Sequence, residues 1–155
     1  MAETPGQRLV LAFDFGVRRI GVAVGNELLG SATALDPLMA RDGMPDWNVI
    51  GRLIKEWQPD VFVVGLPLNM DDTESEMSLR ARKFGKRLHG RFGKPLEMFD
   101  ERGTTRAAKT IAREEGHRGN YREHGVDGIA AELILTGWFE QQAGVARLEM
   151  PGPRQ

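Results

Sequence analysis

The chain has 155 residues, of which 41% are hydrophobic and 28% are charged, and this composition predicts one soluble globular domain. The absence of cysteine excludes disulfides, thiolate catalysis and cysteine-based zinc sites. The sequence contains neither an apolar run of about 18 residues nor a secretory leader, so we expect a cytoplasmic protein that does not enter a membrane.

The net charge is −1, which by itself does not indicate a nucleic-acid-binding protein. The charges are unevenly distributed, however. The segment 80–94 contains seven lysines and arginines and no acid, whereas 71–76 contains four acids and no base. The basic run is either a solvated helix face or a surface that contacts nucleic-acid phosphates, and the sequence leaves both interpretations open.

The first half of the chain predicts three strands followed by a helix. Apolar residues alternate or run together in each strand, and glycines mark the turns between them. The dipeptide Asp36-Pro37 predicts the end of the third strand. The predicted elements are strands at about 8–15, 19–25 and 31–35, and a helix that Asp46 caps and Pro59 ends.

The second half predicts strands that alternate with helices. The continuous apolar run 61–66 is typical of a central strand that is covered on both faces. The spacing of Thr73 and Glu76 predicts a capping box. The predicted elements are strands at 61–66 and 96–99, helices from Thr73 to about His89, from Thr104 or Thr105 to Glu115 and over 126–142, a mobile loop at 116–125, and a loose tail at 143–155.

A three-strand meander followed by alternating helices and strands predicts an α/β domain with a mixed sheet. We therefore expect one domain over 1–142 and a tail over 143–155. Nothing in the sequence indicates an internal repeat or an interdomain linker.

Acidic residues stand where predicted strands end or a predicted helix begins. Asp14 ends the first strand, Asp100 and Glu101 follow the strand at 96–99, and Asp127 opens the last helix. Ligands gather at the carboxyl ends of strands in open α/β sheets. Carboxylates that are close together repel unless a cation lies among them, and hard oxygen ligands suit Mg²⁺ or Mn²⁺. Two such ions could drive phosphodiester hydrolysis.

Each acid also has a purely local interpretation. An acid at a strand end can be neutralised by a nearby arginine, and an acid in the first turn of a helix is favoured by the helix dipole. The local alternatives are pairing of Asp14 with Arg18 or Arg19, pairing of Asp100 and Glu101 with Arg102, Arg106 or a helix N-terminus, and a dipole interaction for Asp127.

Four blocks of the sequence, in this order, resemble the YqgF (RuvX) family. They are Asp-Phe-Gly-Val-Arg-Arg-Ile-Gly-Val-Ala at 14–23, Val-Gly-Leu-Pro-Leu-Asn-Met-Asp at 64–71, Asp-Glu-Arg at 100–102, and Val-Asp at 126–127. The resemblance covers about residues 8–142. It implies a ribonuclease H-like fold, a cytoplasmic location and a nuclease that matures the 5′ end of 16S rRNA precursors, in a family formerly described as Holliday junction resolvases.

The resemblance also implies roles for individual residues. Asp14, Glu101 and Asp127 fall at the family's metal-binding acids, Asn69 and Asp71 in its loop signature, and Asp100 and Arg102 in its Asp-Glu-Arg block. The chain departs from the family pattern in three places. Gly103 follows the block where leucine is usual, Asp72 stands where glycine is usual, and no basic residue immediately precedes Val126.

We therefore expect a metal-dependent ribonuclease in which Asp14, Glu101 and Asp127 hold two Mg²⁺ or Mn²⁺ ions. Arg18, Arg19 and Arg102 are expected near the scissile phosphate, with Asn69, Asp71 and Asp100 also contacting substrate. The expected partners are pre-16S rRNA and ribosomal precursor particles, and the chain is expected to be a monomer or a homodimer.

Other functions remain open. A resolvase of four-way DNA junctions needs the same acids and favours a dimer, because it makes two symmetric cuts. A non-catalytic RNA-binding assembly factor would not need the acids. The phosphate-binding hairpin of actin-like ATPases also begins with Asp-x-Gly, but such an ATPase requires two related domains, and this chain has room for one.

Overall fold

In the computed structural model the described residues are 6–103 and 120–149, with side chains described for 6–102 and 128–144. The strands are β1 (Leu9–Asp14), β2 (Arg19–Asn26), β3 (Ser31–Arg41), β4 (Met44–Pro45), β5 (Val61–Leu66) and β6 (Leu96–Asp100). The helices are α1 (Trp47–Trp57), α2 (Glu76–Phe92) and α3 (Asn120–Glu149), and a 3-10 turn spans Glu101–Gly103. The helix expected at 104–115 lies outside the described residues.

The strands form one mixed sheet in the order β4-β3-β2-β1-β5-β6. β1 to β4 are antiparallel neighbours, as expected of a meander, while β5 runs parallel to both β1 and β6. The predicted mixed α/β architecture is therefore confirmed. Every residue of β5 is buried, in agreement with its uninterrupted apolar sequence.

The two faces of the sheet are covered by different helices. On one face, Leu11, Phe13 and Phe62 belong to a core that also contains residues of α1 and α2. On the other face, Val10, Ala12, Val61, Val63 and Phe99 pack against α3. The α3 residues in that core are Ala131, Ile134, Leu135, Trp138 and Phe139. The central strands are thus buried on both sides, which fixes their register.

The third strand is longer than predicted, because Asp36-Pro37 does not end it. β3 continues to Arg41, and its pairing with β2 shifts by one residue between Val22↔Leu35 and Ile20↔Leu38. The proline therefore lies at a bulge in a strand whose other side is paired only at Ala40 and Arg41. Proline is tolerated at a bulge because no ladder hydrogen bond is lost there.

The start of α2 also differs from the prediction. Asp71 accepts hydrogen bonds from the amide and hydroxyl of Thr73, so this threonine does not cap the helix. The cap is Ser75, which exchanges reciprocal hydrogen bonds with Ser78. The helix then ends at Phe92, and Gly93 adopts the left-handed conformation at its C-cap.

The last helix extends beyond the predicted 126–142 at both ends. It begins at Asn120, within the segment expected to be a loop, and ends at Glu149, within the segment expected to be a tail. Residues 131–139 of the helix pack against the sheet, and extending an established helix costs little for each added residue. None of the described helices is long and apolar enough to cross a membrane.

An ion pair joins the start of β1 to the end of β2. The Arg8 guanidinium donates two hydrogen bonds to the Glu27 carboxylate, at 2.9 and 3.0 Å, and lies 5.1 Å from the centre of the Trp138 ring in α3. Burial would raise the pKa of Glu27, but the hydrogen bonds from Arg8 and from the Gly6 amide outweigh this effect and hold the pKa below its usual value.

The lowered pKa predicts a pH-dependent contribution to stability. The contribution is complete above the unfolded-state pKa of about 4.3 and disappears as the pH falls through the folded-state value. We expect Glu27→Gln to lower the unfolding free energy at pH 7 by about 1.5–3 kcal/mol. Urea titrations at pH 7 and pH 3 should show the difference from the unmodified protein shrinking at pH 3. Glu56→Gln, at an exposed position of α1, should have little effect, and an unchanged Glu27→Gln difference at pH 3 would contradict the assignment.

Candidate active site

The candidate site lies at the carboxyl ends of β1, β5 and β6, which we call the carboxyl edge. These three strands are parallel neighbours, so their ends meet on the same side of the domain. Asp14 is the last residue of β1, and Asp100 is the last residue of β6. The parallel register thus brings predicted site residues from distant parts of the sequence to a common edge.

Asp14 and Glu101 lie on the face of the sheet that α3 covers. Val10 and Ala12 pack against α3, and alternation along β1 places Asp14 on the same face. The pairing of Phe13 with Val64 places Asp14 beside Gly65 of β5. Glu101 approaches Gly65 from the other side, since its carboxyl carbon is 3.2 Å from the position that a Cβ on Gly65 would occupy.

Gly65 is therefore the position that Asp14, Glu101 and α3 all adjoin. A Cβ at this position would also lie 2.5 Å from Cδ1 and 3.0 Å from Cγ1 of Ile134, so a larger residue would collide with α3. The missing side chain allows the helix and the Glu101 carboxyl group to approach the strand closely. The sequence contained a signal for this role, because a glycine interrupts the otherwise apolar strand β5.

The environment of Glu101 disfavours its charged form. The side chain is half-buried, and this burial, together with the negative charge of Asp100, raises the pKa of Glu101. Asp14 is also half-buried. A cation beside these carboxylates would offset their burial, and their oxygen donors fit a hard divalent metal ion.

The third predicted acid, Asp127, lies in α3, seven residues before Ile134. This separation is two helical turns, or about 10 Å along the axis. α3 runs antiparallel to β1, since Ile134 lies over Gly65 near the carboxyl edge while Phe139 contacts the position of Gly25 near the start of β1. The helix backbone thus leads from Ile134 toward Asp127 in the direction of the carboxyl edge.

The side chain of Asp127 lies outside the described residues. Among the side chains that the structure does describe, no three acidic or histidine residues are grouped closely enough to hold a metal ion. The three-carboxylate site thus remains a prediction, of which the structure places two members beside the same glycine.

Arg102 ties the loop after β5 to the end of β6. Its guanidinium donates two hydrogen bonds to the Asp100 carboxylate, at 2.7 and 3.0 Å, and pairs with Asp72 at 2.7 Å. It also donates to the backbone carbonyl groups of Asn69, at 3.1 Å, and Met70, at 3.4 Å. These contacts raise the pKa of Arg102 and lower that of Asp100, so both groups stay charged.

The contacts of Arg102 explain the departure at Asp72. This residue has a φ of 74°, in the left-handed region where glycine is the usual occupant. Aspartate is one of the few other residues that tolerate this conformation, and here its carboxylate gains an ion pair with Arg102. We did not foresee this role for Asp72 from the sequence.

The remaining predicted substrate-binding residues lie around the same edge. Asn69 donates from its side-chain amide to the Thr73 hydroxyl, and hydrogen bonds from Thr73 lower the pKa of Asp71. Arg18 and Arg19 are exposed in and after the β1–β2 turn, which begins at Asp14. The structure therefore gathers these residues near the carboxyl edge, and substrate binding by them stays a prediction.

Comparison with solved structures places the fold. RuvC of T. thermophilus, solved in complex with a Holliday junction substrate, matches with a TM-score of 0.54 and 18% identity, over 88% of this chain and 96% of that one. The yeast mitochondrial Holliday junction resolvase Ydc2 matches with a TM-score of 0.58 and 14% identity, over 92% of this chain and 81% of that one. At these identities the likeness shows the fold alone, and it confirms the predicted ribonuclease H-like architecture.

Sequence relatives are far closer. A protein of Chromohalobacter salexigens named "Putative pre-16S rRNA nuclease" is 74% identical over 148 residues, which cover 96% of this chain and 99% of that protein. A protein of Saccharophagus degradans with the same name is 58% identical over 132 residues, covering 85% and 93%. The family model RuvX, described as "Holliday junction resolvase", matches residues 8–141. The chain belongs to the RuvX family.

Proposed function

We propose that this protein is a divalent-metal-dependent nuclease that processes the 5′ end of pre-16S rRNA during ribosome biogenesis. The observation that carries the proposal is the convergence of Asp14 and Glu101 beside Gly65, at the carboxyl edge of a ribonuclease H-like sheet. The names of the close relatives support pre-16S rRNA as the substrate.

Asp14, Glu101 and Asp127 are the residues that we propose to hold the metal. A bound pair of Mg²⁺ or Mn²⁺ ions would supply an activated water and stabilise the leaving oxygen in phosphodiester hydrolysis. The protein contributes carboxylates on rigid elements, because Asp14 ends a buried strand and the Glu101 carboxyl group packs close to Gly65 of β5.

Two kinds of arginine have separate roles in this proposal. Arg18 and Arg19 are exposed beside the end of β1, where they can meet the phosphates of a bound strand. Arg102 already donates to Asp100 and to the loop backbone, so we assign it to positioning the loop and the segment that carries Glu101. Asn69 and Asp71 belong to this loop, and Asp100 at the end of β6 is joined to it through Arg102, so all three lie at the border of the proposed substrate site.

Four-way DNA junctions are the second candidate substrate, because the fold is shared with proteins that resolve Holliday junctions. Competition at a fixed salt concentration separates the two candidates. With a labelled pre-16S 5′ fragment as substrate, we expect unlabelled fragment to inhibit cleavage more strongly than an equal concentration of four-way junction. The reverse order would favour the junction.

Replacing the carboxylate at the end of β1 tests the metal site. We expect Asp14→Asn to reduce Mg²⁺- or Mn²⁺-dependent cleavage of a labelled pre-16S 5′ fragment at least about a hundredfold, because metal assistance contributes several kcal/mol to catalysis. The matched control is Asp46→Asn, which makes the same chemical change at the N-cap of α1, where asparagine caps equally well. Asp14→Asn protein that cleaves like the control would disprove the site.

Adding a methyl group at the centre of the site tests its assembly. We expect Gly65→Ala to reduce cleavage at least tenfold, since the new Cβ would displace the Glu101 carboxyl group as well as Ile134. Unfolding should become easier by about 1–3 kcal/mol because the site is overpacked.

A second variant separates these two effects. Ile134→Val removes the Cδ1 atom that the new Cβ would contact most closely, so Gly65→Ala/Ile134→Val should recover part of the lost stability without recovering cleavage. Cleavage that returns together with stability would show that Gly65 serves only the packing of α3.

A further inference from the structure

Four basic side chains form a row along α2, on the opposite face of the sheet from α3. Arg80, Lys83, Arg87 and Arg91, here called the basic row, are spaced by three, four and four residues, which keeps them on one side of the helix. From Arg80 to Arg91 the row extends about 16 Å along the axis. Lys83, Arg87 and Arg91 are exposed, and no described carboxylate forms an ion pair with them.

One end of the basic row lies close to the carboxyl edge. Arg80, Lys83 and Arg87 line a cavity of about 240 Å³ together with Phe15, which directly follows Asp14 in the chain. The Arg80 guanidinium carbon is 5.9 Å from the centre of the Phe15 ring, and its ion pair with Asp42 holds it there. A strand leaving the carboxyl edge on this side would therefore meet the basic row.

The other end of the row opens into a groove between α1 and α2. This groove has a volume of about 550 Å³, and we call it the Trp47 groove. Arg91 lies over the indole ring of Trp47, with its guanidinium carbon 4.4 Å from the ring centre. The residues that line the groove include no acid, and they are Trp47, Asn48, Gly51, Arg52, Lys55, Arg91 and Phe92.

Aromatic rings connect the two ends beneath the basic row. Phe84 lies 5.4 Å from Phe15 and 5.9 Å from Trp47, and its ring is nearly parallel to that of Trp47, at an interplanar angle of 22°. Phe84 is buried in the core. The rings thus form a fixed base under the two ends of the row, where Arg80 lies over Phe15 and Arg91 lies over Trp47.

We propose that the basic row and the Trp47 groove bind a single-stranded segment of the RNA that is cleaved at the carboxyl edge. This inference rests on the proposed function, and it assigns the substrate a path on the α1–α2 face of the sheet. The cations neutralise successive phosphates, and the length of about 16 Å matches about five nucleotides of a stacked strand. Bases can stack on the outer guanidinium face of Arg91, whose inner face lies over the Trp47 ring.

The combination of features favours a single strand over a duplex. Alternating cations and aromatic rings in a groove are typical of surfaces that bind single-stranded nucleic acid, because every base can stack. In an A-form duplex the bases are already stacked on each other and offer no free faces to the Trp47 groove.

Binding can be measured separately from cleavage in the Asp14→Asn protein. The probe is a fluorescein-labelled 12-nucleotide single-stranded RNA from the pre-16S 5′ region, and the readout is fluorescence anisotropy over a series of salt concentrations. We expect Arg87→Gln/Arg91→Gln to weaken binding at least tenfold and to reduce the slope of log K against log salt by about 1.4, or 0.7 for each cation removed.

The matched control is Lys86→Gln, compared with Arg87→Gln alone. Lys86 is equally exposed and neighbours Arg87 in sequence, but it points about 100° away around the helix and lines neither cavity. We expect Arg87→Gln to weaken binding severalfold and Lys86→Gln less than twofold. Equal effects of the two changes would show that only net charge matters and would overturn the inference.

Two further arms test the nature of the ligand. RNA binding should quench tryptophan fluorescence in the Asp14→Asn protein, and most of the quenching should disappear in Trp47→Phe. A duplex RNA of the same sequence should bind more weakly and respond less to Arg87→Gln. A duplex that binds as tightly, with the same dependence on Arg87, would overturn the assignment to a single strand.

The outcome also distinguishes this inference from the proposed function. If the unmodified protein cleaves pre-16S RNA while the row variants bind RNA as the parent does, the function stands and the RNA path is wrong. If no cleavage is seen with Mg²⁺ or Mn²⁺ but the row variants lose binding, the RNA path stands and the nuclease assignment fails.

Discussion

The structure of the site depends on the absence of one side chain, that of Gly65, in the most deeply buried strand of the sheet. Parallel pairing places Asp14 on one side of this glycine, and the turn after β6 brings Glu101 over it from the other. Ile134 of α3 occupies the remaining space. The absence of a Cβ on the strand lets the Glu101 carboxyl group and Ile134 both approach it closely, so this glycine sets the height of the helix above the sheet and the position of Glu101 beside the end of β1.

Ion pairs of Arg102 hold the segment that carries Glu101 in position. Arg102 contacts Asp100, Asp72 and two backbone carbonyl groups, and these contacts attach the loop after β5 to the end of β6. These pairs are partly exposed, and each contributes little to global stability. Their effect is on geometry, because Glu101 lies between Asp100 and Arg102 in sequence and inherits its position from this network. The left-handed backbone of Asp72 is tolerated within the same set of contacts.

Local sequence signals predicted most of the elements, and the errors have physical causes. The helix cap at Asp46, the buried strand β5 and the antiparallel meander depend on residues that are close in sequence, and the predictions of all three are confirmed. The predicted end of the third strand at Asp36-Pro37 is wrong because a bulge accommodates the proline. The predicted helix cap at Thr73 is wrong because Thr73 donates its hydrogen bonds to Asp71 instead. The convergence of Asp14 and Glu101 was inferred from strand ends, but the role of Gly65 depends on the register of β1, β5 and β6 and on α3, which no local pattern encodes.

The segregation of charge explains how a chain with a net charge of −1 can serve a polyanionic substrate. Proteins bind nucleic acid through the local field, and this field depends on where the charges lie more than on their sum. Here Asp14, Asp100 and Glu101 lie at the carboxyl edge, where burial raises the pKa of Glu101 and where we propose a metal ion. Lys83, Arg87 and Arg91 lie on a different face, without ion pairs to carboxylates among the described residues. Asp14 at the carboxyl edge and Phe15, which lies under the Arg80 guanidinium, are consecutive residues, so the carboxyl edge and the basic row are adjacent. An RNA strand bound along the basic row would thus reach the acids at the carboxyl edge.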